Sequence, residues 1–227
     1  VLPLDYLAVV LLSFLAVAMV VWYFRMRRVT LQLMKRVTDE LERFFKPVDK
    51  TYVLLGYLVG YRATYTLKDG DRVFAVLTTV PRHSLLYYPL AKALGRRDRL
   101  HLAVRYGRRY VVRELHAVNL ADTRLHAVVL KDLGERARVL SKRELELRGG
   151  RYVVYYEDSG DLELVAKLVE SSPVTLYKVS AYSRDNLVEV VADVSSGNAL
   201  AIAEILRDFG RRITRSWVEL GKGFLDS

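Results

Sequence analysis

Between Tyr6 and Phe24 the chain reads YLAVVLLSFLAVAMVVWYF, 19 residues without a charge. At about 1.5 Å per residue a helix of that length covers roughly 28 Å, close to the hydrocarbon thickness of a bilayer. Trp22, Tyr23 and Phe24 end the run where an interfacial aromatic belt belongs, and Arg25, Arg27 and Arg28 follow at once. Asp5 is the one charged side chain before it. A basic flank on that side predicts a single-pass anchor, residues 1–28, with the N-terminus outside and everything past Arg25 in the cytoplasm, at the cell membrane. A cleaved signal peptide would show reversed flanks and a shorter apolar core.

The period then becomes helical. Met34, Val37, Leu41, Phe44 and Phe45 recur three and four apart, and Pro47 stops the pattern. Residues 29–47 are expected to form a juxtamembrane amphipathic helix. Its stripe packs on its own domain or, over residues 29–46, pairs two copies as a short homodimeric stalk.

Beyond it, residues 48–227 are expected to form one domain. Residues 51–67 and 72–80 alternate apolar and polar around Lys68-Asp-Gly-Asp71, a hairpin signature. Gly56 and Gly60 read as strand glycines at a bulge or bend. A second hairpin is expected at 100–106 and 109–113, turning at Gly107-Arg108, and further strands at 124–131 and 151–156. The stretch LGERARVLSKRELELRGG is ambiguous. A helix is expected from Asp158 to Ser171, capped by Asp158 or Ser159. A third hairpin follows at 174–182 and 187–194, and then a helix starting at Ser196 or Asn198 and carrying Leu200, Ile202, Ile205, Leu206 and Phe209. Ile213, Trp217 and Leu220 extend that stripe. The pattern predicts an α+β fold: an N-terminal transmembrane helix, then a cytoplasmic domain of β-hairpins with packed helices.

Charge changes the picture. The net +10 is uneven: residues 51–113 carry nine more basic than acidic side chains, while residues 114–227 are slightly acidic. Within 82–113, Arg82, Lys92, Arg96, Arg97, Arg99, Arg105, Arg108, Arg109 and Arg113 face a single Asp98. Among them lies HSLLYYPLAKALG, with Tyr87 and Tyr88 and a short helix from Ser84 to Leu94 that Pro89 kinks or divides. A helix apolar nearly all round is buried or lies in lipid. Three readings stand: ordinary core, docking on anionic headgroups, or a face for RNA or a membrane protein complex.

Candidate chemistry adds little. His83, His101, His116 and His126 have no metal-ligand spacing, and there is no HExxH, phosphate loop or nucleophile elbow. Glu157, Asp158, Asp161 and Glu163 suit a helix start. Cysteine is absent, and scarce amides beside many charges give a thermophile-like composition. No catalytic, metal or cofactor residue is assigned. The expectation is a membrane-anchored, non-enzymatic adaptor, scaffold or accessory subunit with a basic and aromatic docking surface. The alternatives are a tethered RNA- or ribosome-binding protein and an enzyme without a recognisable motif.

Overall fold

The structure, a computed structural model, describes residues 4–107 and 110–216. Arg108, Arg109, Trp217 and Leu220 lie outside the described residues.

Helix α1, Leu4–Phe45, is continuous. Nothing in Arg25-Met-Arg-Arg28 breaks a helix, so the apolar run and the amphipathic stripe merge into one rod. It ends where Lys46 turns to a left-handed φ of 46°, ahead of Pro47. From Tyr6 onward this helix is long and apolar enough to cross a membrane, and none of its most apolar window is buried.

The strands are β1 Asp49–Gly56, β2 Gly60–Thr66, β3 Arg72–Thr78, β4 Arg99–Arg105, β6 Leu115–Asn119, β7 Ser141–Leu147, β8 Gly150–Tyr156, β9 Leu176–Tyr182 and β10 Leu187–Asp193. All pair antiparallel in the order β1-β2-β3-β4-β10-β9-β6-β8-β7. The other helices are α2 Tyr87–Ala93, α3 Thr123–Leu133, α4 Gly160–Ser171 and α5 Ala199–Ile213. This is the expected α+β class.

One sheet face carries the main core. Met34, Val37 and Leu41 of α1, Val165 and Val169 of α4, and Ile202, Leu206 and Phe209 of α5 bury against Leu77, Leu102, Val190 and Ala117. Each such large side chain contributes about 1.5–3 kcal/mol. The surface a coiled-coil stalk would use is therefore filled from within the chain. On the opposite face α3 covers only part of the sheet, packing Val129 and Leu133 on Val118, Val153 and Tyr155.

Four expectations change. Residues 51–67 are two strands, reversed at Tyr57-Leu58-Val59 between Gly56 and Gly60. Gly60 has φ +147°, and a Cβ there would meet the Leu77 carbonyl oxygen at 1.9 Å, so the turn demands glycine. The arms 100–106 and 109–113 do not pair. β4 has both edges filled by β3 and β10, and β5, Tyr110–Val112, instead pairs β11, Thr214–Ser216. Residues 124–131 are helix, because Leu125, Val129 and Leu133 share a face and the Asp122 carboxylate accepts from Leu125 N at 3.1 Å. The ambiguous stretch becomes a 3-10 turn, Gly134–Arg138, and edge strand β7. The expected strand at 151–156, the helix to Ser171 and the third hairpin stand; α5 begins as expected but stops at Ile213, where Thr214–Ser216 turns to strand, so the helical stripe does not run on past it.

Candidate functional site

Two parts of the domain grip α1 just where its apolar run ends. Trp22 donates from Nε1 to the Arg82 carbonyl at 2.9 Å, and its ring lies 6.2 Å from that of Tyr88. Tyr23 meets the His83 ring edge-on at 6.1 Å. One turn further along the helix, Arg27 lies over the Tyr57 ring, 5.8 Å from its centre. Tyr6, Phe24, Arg25 and Arg28 are exposed.

The segment between β3 and β4 is not core. In α2 only Ala91 is buried, while Leu86, Leu90 and Leu94 are 73%, 54% and 65% exposed. Pro89 occupies the first turn, where its missing N–H costs nothing, so it neither kinks nor divides the helix. Ser84 Oγ accepts from Tyr87 N at 3.2 Å, and Gly95, at φ +71°, ends the helix.

The segment is stapled at its base. Asp98 is fully buried and accepts from Val80 N at 2.8 Å and from both Arg82 terminal nitrogens, Nη1 at 2.7 Å. This fork is bidentate and charge-assisted, among the stronger polar contacts a protein makes.

The arginines expected to form one surface part company. Arg82 serves Asp98; Arg99 pairs with Asp122 and lies 4.4 Å over Tyr177. Arg105 sits at the far end of β4, six residues or roughly 20 Å away, over Phe74. Arg113 pairs with Asp161 at 2.9 Å and Asp158 at 3.4 Å. What remains around α2 is Lys92, Arg96 and Arg97, all exposed and without a carboxylate partner among the described residues, with Arg96 5.8 Å from the Tyr87 ring centre.

A separate polar cluster lies away from α1, on the sheet face that α3 partly covers. Glu114 accepts from His116 Nε2 at 2.9 Å, Ser183 N at 2.9 Å, Ser183 Oγ, and Arg136 Nη1 at 3.1 Å. Burial alone would raise its pKa; the hydrogen bonds from His116 and Ser183 outweigh it and hold the carboxyl at about 2. Glu189 behaves alike: burial is opposed by His101 and by Lys178 Nζ at 2.6 Å, and it too stays at about 2. Both line an open cleft of about 740 Å³ between the 3-10 turn and the β9–β10 turn. Glu114 is paired with Arg136 and Glu189 with Lys178, while Asp132, Glu135 and Asp185 add further carboxylates to the wall. Among the described residues no group of three or more His, Cys, Asp or Glu side chains is arranged to hold a metal ion.

The bend expected at Gly56 and Gly60 proves to be a full chain reversal, the β1–β2 turn beside Arg27. The available signal was the charge-free run Leu54-Leu-Gly-Tyr-Leu-Val-Gly60, apolar in a place where turns are usually polar. No protein-family model and no curated protein matches this chain.

Proposed function

We propose that this chain is a single-pass membrane protein, N-terminus outside, whose α+β domain lies against the inner leaflet as a non-enzymatic adaptor, scaffold or accessory subunit. One observation carries the reading: α2 and the two residues that flank it expose Leu86, Leu90 and Leu94 to solvent at the level of Trp22, beside the apolar length of α1. An exposed apolar helix rimmed by Lys92, Arg96 and Arg97 is what a leaflet-docking element looks like. Each basic side chain near an anionic surface contributes about 1 kcal/mol, so the three supply about 3 kcal/mol.

The chain has no cysteine, so single labels are clean. A fluorophore at Leu90→Cys in the full chain, reconstituted in vesicles containing phosphatidylglycerol, should be quenched by nitroxide-headgroup lipid. Replacing Lys92, Arg96 and Arg97 by glutamate should weaken that quenching in anionic but not in neutral vesicles. A label that stays unquenched in both membranes refutes the docking.

The cleft supports a second reading, an enzyme, because it brings two histidine–carboxylate pairs to one side of the sheet: His116 with Glu114, and His101 with Glu189 at 3.8 Å. His116 is fully buried and cannot reach a substrate without movement. Adaptor function therefore remains the preferred reading.

A further inference from the structure

The tight turns of the sheet differ in chemistry. The β2–β3 turn carries Lys68, Asp69 and Asp71, the β7–β8 turn Arg148, and the β9–β10 turn Arg184 and Asp185. The β1–β2 turn, Tyr57-Leu58-Val59, carries none, yet Tyr57 is 61% and Val59 47% exposed. An uncharged, protruding turn in water wastes apolar surface.

Its height relative to α1 supplies the occupant. Tyr57 is level with Arg27, five residues from Trp22, which is about 7.5 Å along the helix. If Trp22 marks the hydrocarbon boundary, that distance falls inside the interfacial layer, into which surface elements bury by about 5–10 Å. The turn is also joined to the segment carrying α2. Thr79 N donates to the Val59 carbonyl at 2.8 Å and Thr79 Oγ1 to the Leu58 carbonyl at 2.7 Å. Val80, the next residue, is held by Asp98.

We infer that the β1–β2 turn is a second lipid contact, seated in the headgroup layer beside α1, so that the domain stands on two rigidly linked apolar feet rather than swinging from its helix. This rests on the membrane reading above. A second copy of the chain fits the same surface poorly. Lys50 and Tyr52 contact Glu42 while Tyr57 contacts Arg27, so β1 runs antiparallel to α1. Two copies anchored the same way in one bilayer would present parallel β1 edges about a two-fold axis along the strands. That axis does not generate the reciprocal hydrogen bonds of an antiparallel edge pair.

The test uses the full chain in vesicles of phosphatidylcholine and phosphatidylglycerol, with an environment-sensitive fluorophore at Tyr57→Cys or Val59→Cys. Leu86→Cys reports α2, and Lys68→Cys reports the exposed β2–β3 turn. Nitroxide lipid should quench the Tyr57 and Val59 labels several-fold more than the Lys68 label. The Val59 label leaves the Arg27–Tyr57 contact intact and so covers a failure of the Tyr57 variant to fold. If Leu86 is quenched and Val59 is not, the second foot is overturned while α2 docking survives. If neither is quenched, docking itself fails. Disulfide cross-linking between copies through Val59→Cys, without lipid quenching, overturns the inference in favour of self-association.

Discussion

Removing the Asp98 carboxylate tests what holds α2 where it is. Asp98→Ala deletes two charge-assisted hydrogen bonds and one backbone bond, from Val80 N. It also leaves the Arg82 guanidinium, only 14% exposed, without its anion. Breaking a buried ion pair from one side costs about 3–5 kcal/mol. At about 2–4 °C per kcal/mol for a chain of this size, the melting temperature should fall by about 6–20 °C. Because the clamp closes the base of the segment, the loss should also free it locally, and trypsin should cut faster at Arg96 and Arg97. The assay is thermal melting by circular dichroism on the full chain in nanodiscs, with limited proteolysis alongside. Arg82→Met combined with Asp98→Leu should be less destabilised than the two single changes summed, since no charge is then stranded. An Asp98→Ala protein that melts within about 3 °C of the parent, or single effects that simply add, would refute the clamp as the segment's anchor.

Other outcomes follow from the same geometry. Glu114 has a folded pKa of about 2 against an ordinary value near 4.5, so its contribution to stability is full above pH 4.5 and is lost as pH falls towards 2. Glu114→Gln should flatten the fall in melting temperature across that window; an unchanged slope would show that the carboxylate is not held ionised. Gly60→Ala should cost at least about 3 kcal/mol, given its φ and the Leu77 oxygen in the way. Gly70→Asn, at φ +88° with nothing within 4 Å, should cost little; equal melting shifts for the two would contradict the close approach at Gly60. Arg113→Ala strands Asp161, a nearly buried carboxyl whose pKa burial already raises, and should lower the melting temperature by several degrees.

Elements set by near neighbours were legible in the sequence: the uncharged run to Phe24, the stop at Pro47, the Asp69-Gly70 turn, the helix opening at Ser159 and the β9–β10 hairpin. Each depends on hydrophobic period, capping or backbone freedom within a few residues, and those are properties of the chain itself. At Thr123–Leu133 adjacent Val128 and Val129 favour strand, but the Asp122 cap and the i, i+4 spacing of Leu125, Val129 and Leu133 outweigh them and make a helix.

Pairing over distance was decided only by tertiary structure. β4 and the later-made β10 are neighbours although Arg105 faces Leu187, and that insertion left the expected β4–β5 hairpin no edge to use. The same holds for charge. The sequence states that residues 82–113 hold nine cations; folding brings Asp98 to Arg82, Asp122 to Arg99, and Asp158 and Asp161 to Arg113. A side chain's charge is written in its residue type, but whether it meets a carboxylate or is left facing outward depends on which acidic side chain the fold brings within about 3 Å of it. Leu86, Leu90 and Leu94 are apolar in any fold, and it is the sheet and α1 together that leave them uncovered at the level of Trp22.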